Sequence, residues 1–337
     1  MHNKKFIIIL APLICLISIL AAYFPNIIKQ NSRIVPPNSF AKDITEILPE
    51  EVEDSRISMI FAGDVMLART VGISIEQGGN PFENVKDKFN EHDIVVLNLE
   101  TVVADPAYAV QAFGKLFTFN SPVSAIDILK ANNVSVVSLA NNHSMDYGAN
   151  ALVNTMDNLQ AEGILHVGAG RTIAEAFAPK YLLFKNTKIA LLAFNDIENW
   201  FTDVTDYNAG SAYFDEGRIK VAISEAKNNT DIVIVIPHWG IEYSLNNSDR
   251  QSYFGKVFID SGADIVIGGH SHVVQNSEEY NGKMIYYSLG NFVFDDMCSI
   301  SNACDAALVE VFIEDKKILT SNILEVRIDD RGYPSLK

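Results

Sequence analysis

Cysteine is scarce in this sequence of 337 residues. There are three, far fewer than a small disulfide-rich scaffold needs. Basic residues are also few, since 26 lysines and arginines face 42 acidic residues, for a net charge of −16. Proteins that bind duplex nucleic acid need a basic surface to neutralise phosphates, so this balance excludes nucleic acid as a partner. Disorder is excluded too, because hydrophobic residues make up 48% of the chain.

Long apolar runs are absent except at the N-terminus. Residues 6–24 carry no charge and follow Lys4 and Lys5. At about 1.5 Å per residue, such a run is long enough to cross the core of a bilayer. A cleaved signal peptide is the alternative, although its apolar part is usually shorter. We therefore predict a cytoplasmic N-terminus (1–5), a transmembrane anchor (6–24) and a single-pass cell-membrane protein whose C-terminal domain is extracellular.

The rest of the chain divides into a linker and one domain. Residues 25–55 contain Pro36, Pro37 and a late acidic cluster, which is typical of an extended acidic linker. From 56 to 331, short β-branched runs alternate with helical patterns, and this predicts an α/β domain that ends in an antiparallel pair of strands. Cys298 and Cys304 lie six positions apart. They form either a disulfide or two free thiols, because spacing alone does not fix the geometry.

Polar residues of the types that bind metals directly follow the predicted strands. They are Asp64, Asn98 and Glu100, Asn141 to His143, His238, His270 and His272, and Asn291. In open α/β sheets, sites form at the carboxyl ends of strands. Imidazole, carboxylate and amide groups together suit divalent ions such as zinc, manganese or iron. The pattern therefore predicts a site for one or two divalent metal ions that could polarise a phosphoryl or acyl oxygen.

Each of these motifs is weak when taken alone. Gly63-Asp64 by itself is more typical of a simple turn, and Asn141 to His143 is more typical of a helix cap with a surface histidine. His270 and His272 would point to opposite faces of an extended strand. We expect the preceding Gly268-Gly269 to form a sharp turn that lets both histidines converge.

The ordered set of motifs resembles the CapA/PgsA family of bacterial capsule and poly-γ-glutamate biosynthesis proteins. The matching segments are GDVML (63–67), NLE (98–100), SLANNHSMDYG (138–148), HWGIEY (238–243), GADIVIGGHSHVVQ (262–275) and YSLGNFVFD (287–295). That family is similar in turn to calcineurin-type metallophosphoesterases. The resemblance implies a metallophosphoesterase-like α/β/β/α sandwich with two central mixed sheets.

The resemblance also implies roles for individual residues. The metal ligands would be Asp64, Glu100 as the bridging carboxylate, Asn142, His238, His270 and His272. His143 would contact the substrate or leaving group as an acid or as a stabiliser of the transition state. Asn98, Asn141 and Asn291 are candidate substrate-binding residues.

The sequence departs from the metallophosphoesterase pattern at two positions. Met66 stands where those enzymes have a histidine, and Glu100 within Asn-Leu-Glu replaces an aspartate. One metal site therefore loses a ligand. Glu242, four residues after His238, is a candidate to compensate as a ligand or as the general base. A solvated surface charge is the alternative for Glu242.

Two functions follow from these observations. The first is a metal-dependent hydrolase or transferase that acts on a cell-envelope polymer, with poly-γ-glutamate as one candidate. The second is a non-catalytic accessory subunit of a membrane poly-γ-glutamate synthase or export complex. The expected partners are the cytoplasmic membrane, the capsule polymer and synthase subunits. From Pro25 onward the charge is 24 − 42 = −18, so the domain repels a polyanion unless a local positive feature such as a metal ion binds it.

Overall fold

Strands and helices alternate along the chain in the computed structural model, which describes residues 45–46 and 56–337. The predicted transmembrane helix over 6–24 and most of the predicted linker lie outside the described residues. Within the described residues, no helix combines the length and the apolar composition needed to cross a membrane.

Most of the strands belong to two mixed sheets. Across the first sheet the order is β1 (Thr45–Glu46), β7 (Lys180–Phe184), β8 (Thr187–Asn195), β10 (Ile232–His238), β11 (Ile265–Ile267), β13 (Lys283–Tyr286) and β12 (Ser277–Tyr280). Across the second it is β17 (Pro334–Leu336), β16 (Lys317–Ile328), β15 (Asp305–Glu314), β2 (Ile57–Val65), β3 (Ile94–Leu99), β4 (Val134–Ser138) and β5 (Leu165–Val167), with β14 (Asn291–Val293) beside β2. A small separate pair consists of β6 (Ala169–Gly170) and β9 (Gly210–Ser211).

The helices connect these strands. They are α1 (Arg69–Glu76), α2 (Lys86–Asn90), α3 (Ala125–Ala131), α4 (Gly148–Ala161), α5 (Ile173–Ala176), α6 (Asn199–Thr202), α7 (Glu216–Asn229) and α8 (Asp249–Ser261). Local sequence explains where the best-defined helix begins and ends. The Ser248 hydroxyl accepts from the Gln251 backbone N–H while the Gln251 side chain accepts from the Ser248 N–H, and Gly262 adopts a φ of +122° after the last turn of α8.

Parallel strands form the centre of both sheets. β2, β3, β4 and β5 are parallel to one another, and so are β8, β10, β11 and β13. β15 and β16 form the predicted antiparallel pair, and β15 also runs antiparallel to β2. β17 adds to β16, so the sheet continues beyond residue 331, where the domain was predicted to end.

Three layers of apolar side chains hold the molecule together. Between the sheets, Phe61 and Val96 of the second sheet pack with Ile234 of the first. A second layer, including Leu97, lies between the second sheet and helices α1 to α4. A third layer, including Phe258, lies between the first sheet and helices α7 and α8. The order is therefore helices, sheet, sheet, helices, and the predicted α/β fold with two mixed sheets is confirmed.

Cys298 and Cys304 form a disulfide, with their Cα atoms 5.0 Å apart. The bond closes a short loop between β14 and β15. It settles the choice between a disulfide and two free thiols that the spacing left open. Cys304 is also buried in the helix-facing core of the second sheet.

Asp203 gives a pH-dependent prediction. Burial raises the pKa of its carboxyl from 3.8 to about 7, and its Oδ1 has no hydrogen-bond partner. The folded chain therefore retains a proton that the unfolded chain has released, so folding stability falls as the pH rises from 3.8 to about 7. Asp203→Asn should raise the melting temperature above that pH and lose its advantage near pH 4. Thermal unfolding across this range checks it, with exposed Asp206→Asn as the control.

Candidate metal centre

The predicted ligands meet at one buried edge where the two sheets face each other. Asp64 and Glu100 come from the carboxyl ends of β2 and β3, and His238 is the last residue of β10. His270 and His272 follow β11. All of these side chains are buried. The topology of the parallel strands thus brings acidic groups from one sheet against histidines from the other.

A bulge in β2 aims Asp64 into this edge. The register of β2 against β3 shifts between Ala62 and Asp64. A Cβ atom at Gly63 would lie 2.0 Å from the carbonyl oxygen of Gly290, so only glycine permits this approach. The Asp64 N–H donates to that same Gly290 oxygen (3.0 Å). Gly63 is therefore required by close packing against the 289–291 segment.

His270 and His272 converge, but the backbone conformation that brings them together is not the expected glycine turn. The histidines themselves adopt left-handed backbone angles, with φ of +92° and +59°. Gly268 and Gly269 do not have positive φ angles; a Cβ at Gly269 would lie 2.6 Å from Asp64 Oδ1. The expectation of a glycine turn is wrong in this respect: the glycines are needed for close approach, and the strained angles fall on the histidines.

Two groups of side chains could each hold a cation. Glu100, His238 and His270 form one group, and Asp64, Glu100 and His272 form the other, with the ligand atoms of each lying within 4.8 Å of one another. Glu100 belongs to both. Both of its carboxylate oxygens are buried without a hydrogen-bond partner, and so is Nδ1 of His270. Buried polar atoms normally have partners, so these orphaned atoms fit a divalent cation between them.

Burial sets the protonation of the centre. It raises the pKa of Asp64, and it raises that of Glu100 well above its usual range, where the negative charge of Asp64 adds to the effect. It lowers the pKa of His238 and of His270 well below the usual value. Neutral imidazoles are the form that binds metal, and a cation offsets the cost of buried carboxylates. The donor set therefore fits a metal.

Three asparagines predicted to bind substrate form hydrogen bonds inside the centre. The Asn98 amide donates to Asp64 Oδ1 (2.8 Å), and the Asn141 amide donates to Asn98 Oδ1 (3.0 Å). Asn291 Oδ1 lies 2.9 Å from Nδ1 of His272, and its amide donates to two backbone carbonyls. The three amides therefore contact the candidate ligands Asp64 and His272, either directly or through one another. Such contacts orient ligand side chains in metal sites.

Asn142 and His143 follow β4. Asn142 Oδ1 lies 2.9 Å from Nε2 of His238. Nδ1 of His143 lies 2.7 Å from Asp146 Oδ2, and its Nε2 faces Glu100 Oε1 at 3.8 Å. The His143 ring also packs on Phe119, with centroids 4.4 Å apart. Burial lowers the pKa of His143 although Asp146 opposes this, so the neutral ring directs one nitrogen to Asp146 and the other towards the centre.

Met66 stands where metallophosphoesterases have a histidine ligand, and Glu242 was the candidate to replace that ligand. Met66 is fully buried and packs with Phe119, Val273 and Phe294 in an apolar cluster. The surroundings of Met66 are therefore apolar, and no ligand replaces the missing histidine at this position. Glu242 is exposed and belongs to neither of the two ligand groups. The structure does not bring Glu242 into the buried cluster that Glu100 and the histidines form.

Lys115 lies at the site, although no sequence pattern indicates it. Its ammonium group lies 2.7 Å from Asp146 Oδ1 and 2.9 Å from Glu198 Oε2, and it donates to the carbonyl of Asn142. Its side chain is 10% exposed. Lys115 belongs to a long loop after β3, where no periodicity marks it. It connects this loop to the segment that carries Asn142 and His143.

Removing the Lys115 charge should destabilise the chain. Lys115→Met leaves the fully buried Asp146 carboxylate without its cation, a change that costs about 3 kcal/mol or more. Denaturant unfolding of the purified chain measures the loss. The control is Lys220→Met, which removes an exposed pair with Glu216 and should have a much smaller effect, because solvent screens such pairs. Equal stability of the two variants would show that the buried contacts of Lys115 contribute little.

With this geometry established, similarity to known proteins gives the family. Residues 58–296 match the family described as bacterial capsule synthesis protein PGA_cap. The PGA biosynthesis protein CapA of Bacillus subtilis (strain 168) is 35% identical over 264 residues, which cover 77% of this chain and 69% of that protein. The capsule biosynthesis protein CapA of Bacillus anthracis is 29% identical over 339 residues, covering 98% and 78%. The chain belongs to the PGA_cap family of bacterial capsule synthesis proteins.

Solved structures show a weaker likeness. The crystal structure of a 5′-nucleotidase precursor from Thermus thermophilus superposes with a TM-score of 0.47 at 11% sequence identity. It covers 83% of this chain and 56% of the nucleotidase. At this score the likeness carries no weight for function.

Proposed function

We propose that this protein is a membrane-anchored, extracellular, metal-dependent hydrolase or transferase that acts on a polymer of the cell envelope. The observation that carries this proposal is the buried carboxylate of Glu100, which has no hydrogen-bond partner and is shared by two groups of ligand atoms. Membership of the capsule synthesis family supports a capsule polymer as the substrate, with poly-γ-glutamate as the first candidate. The uncharged run over 6–24 supports the anchor.

Asp64, Glu100, Asn142, His238, His270 and His272 would hold the metal. A divalent cation such as zinc, manganese or iron would polarise a phosphoryl or acyl oxygen of the substrate. Asn98 fixes the carboxylate of Asp64, and Asn291 fixes the ring of His272. These contacts would keep the ligands in place before a metal binds.

His143 would transfer the proton in the reaction. Its Nδ1 faces Asp146 and its Nε2 faces the centre, an arrangement that fixes the ring for proton transfer at Nε2. The contact with Asp146 favours the tautomer in which Nδ1 carries the proton. His143 would then accept at Nε2 the proton of the attacking water or hydroxyl group and return it to the leaving group. Glu242 remains a candidate base: its side chain is exposed, and its negative charge adds to the raised pKa of Glu100.

Charge also favours a role for the metal in binding the polymer. The chain carries −16 overall, and general electrostatics would repel a polyanion. Lys115 is a cation at the centre, but Asp146 and Glu198 already pair with it. A metal ion at Glu100 would therefore supply the positive charge that a carboxylate-rich polymer needs there.

Metal analysis and a hydrolysis assay test this proposal. The full chain, purified in detergent, should contain a divalent metal, should shorten poly-γ-glutamate, and should lose both properties when His270→Ala and His272→Ala are combined. Wild-type chain stripped with a chelator and then reloaded is the matched control. Absence of metal from the wild type, or the same metal content in the double variant, would refute the metal centre.

A non-catalytic accessory role in a synthase or export complex is the second candidate. Met66 favours it, because an apolar side chain occupies a position where metallophosphoesterases have a ligand, and it packs into an apolar cluster. A strain that carries His143→Ala and His238→Ala separates the two functions. Normal capsule output would support the accessory role, and loss of output at normal protein level would support catalysis.

A further inference from the structure

One loop exposes an unusual set of apolar side chains beside the metal centre. We call residues 106–120, which follow β3, the apolar loop. Tyr108, Val110, Phe113, Leu116 and Phe117 are its exposed large apolar side chains. Phe113 is fully exposed (103%) and Leu116 is 87% exposed. Apolar patches of this kind on a soluble surface mark an interaction site.

Hydrogen bonds and ion pairs hold the apolar loop against the segment that follows β4. The Ala112 N–H donates to the carbonyl of Asp146 (2.8 Å), and the Val110 N–H donates to that of Tyr147 (3.2 Å). Lys115 turns inward to Asp146 and Glu198. The loop is thus bound to the protein through backbone groups and Lys115, while its five large apolar side chains and Gln111 are exposed. The apolar side chains are therefore exposed on a loop that hydrogen bonds hold against the domain.

The charge of the apolar loop is as distinctive as its exposure. Residues 106–120 contain no acidic residue in a chain that has 42. Lys115 is the single cation in this segment, and it is buried against carboxylates. The outward surface of the loop is therefore uncharged and mostly apolar, with Gln111 as an exposed polar side chain. An uncharged surface is what insertion into the interface of a bilayer requires.

We propose that the apolar loop inserts its side chains into the surface of the lipid bilayer, so that the edge carrying the metal centre faces the membrane. This inference rests on the membrane anchor of the proposed function. A second copy of the chain is a poor occupant because each copy carries −16. A protein partner is less suited as well, because one short loop offers several hundred Å² and a stable interface needs about 800 Å² per partner.

The predicted linker is long enough for this orientation. β2 runs from Ile57 to the centre over nine residues, so its two ends are about 30 Å apart. The first described strand is β1 (Thr45–Glu46), which pairs with β7. Residues 25–44, which precede β1, can span up to about 70 Å when extended. The chain could therefore turn either end of the sheets towards the bilayer, and the apolar loop selects the end that carries the centre.

A pair of tryptophan variants tests the orientation. The full chain is reconstituted in phosphatidylcholine vesicles with brominated or plain acyl chains, and the wild-type emission is subtracted. Phe113→Trp places a reporter on the apolar loop. Leu319→Trp places a matched reporter at the opposite end, because Leu319 is also exposed and lies on β16 near the partner of Ile57. We expect brominated lipid to quench most of the emission added at 113 and little of that added at 319.

Other outcomes overturn the inference in distinguishable ways. If alkaline carbonate removes the chain from the vesicles, the anchor fails and the loop proposal fails with it. If the chain is retained but the reporter at 113 is not quenched, the anchor stands and the loop does not insert. Equal or stronger quenching at 319 would show that the opposite end faces the bilayer. None of these readouts depends on metal content or activity.

Discussion

Glu100→Gln is expected to abolish metal binding and yet to make the metal-free chain more resistant to heat. Glu100 is shared by both ligand groups, so its loss should weaken metal affinity by about 100-fold or more. This is a larger effect than the loss of a residue that only hydrogen-bonds to a ligand usually has. In the metal-free wild type its two oxygens are buried without partners beside Asp64. Because burial raises the pKa of Glu100, folding of the metal-free wild type near neutral pH must either bury a charge or take up a proton, and a neutral amide avoids this cost of about 1–3 kcal/mol. Calorimetric titration with Mn²⁺ and thermal unfolding without metal measure the two effects.

Glu242→Gln is the matched comparison for this experiment. It removes the same charge from an exposed position outside both ligand groups, and Mn²⁺ affinity should stay close to that of the wild type. The shift in melting temperature on adding metal should vanish in Glu100→Gln alone. A Glu100→Gln chain that still binds Mn²⁺ normally would show that the shared carboxylate does not hold the metal.

His143→Ala is expected to leave metal content unchanged and to reduce hydrolysis of poly-γ-glutamate by about 10²–10⁴-fold. His143 belongs to neither ligand group, and its Nδ1 contacts Asp146. Its loss should therefore remove proton transfer and leave the metal in place. Metal analysis beside single-turnover kinetics on the same preparation separates these effects.

Asp146→Asn supplies the second half of this test. It keeps the shape of the side chain but no longer favours the same His143 tautomer, so the rate should fall while the metal remains. Asp146 also pairs with Lys115, so the melting temperature has to be followed in parallel. Full activity of His143→Ala would exclude this histidine from the reaction.

Strand ends were the most predictable part of the site. Buried parallel strands read as continuous β-branched runs, so the positions of Asp64, Glu100 and His238 followed from where each run stops. The pair β15 and β16 was predicted from sequence alternation, although the structure buries β15 on both faces. These features depend on local pattern, which the sequence records directly.

Features that depend on contacts between distant segments could not be predicted. Lys115 belongs to a loop without periodicity, and its partners Asp146 and Glu198 are known only from the fold. The left-handed angles of His270 and His272 occur next to Gly269, which packs against Asp64 from a distant strand. Asn98, Asn141 and Asn291 were predicted to lie at the site, but their hydrogen bonds to Asp64, to Asn98 and to His272 could not be predicted, because hydrogen-bond partners leave no local pattern.

The long chain distance between the two halves of the centre has a consequence for biosynthesis. The hydrogen bond from the His270 N–H to Asp64 joins residues that are 206 positions apart. At a synthesis rate of about 5–20 residues per second, the aspartate precedes that histidine by about 10–40 s. During this interval the second sheet can begin to form, and His143 can face Glu100, but His270 and His272 are still missing from the centre. Both proposed ligand groups are therefore complete only after His272 has been synthesised, and a chain that ends before His270 would lack a ligand from each group.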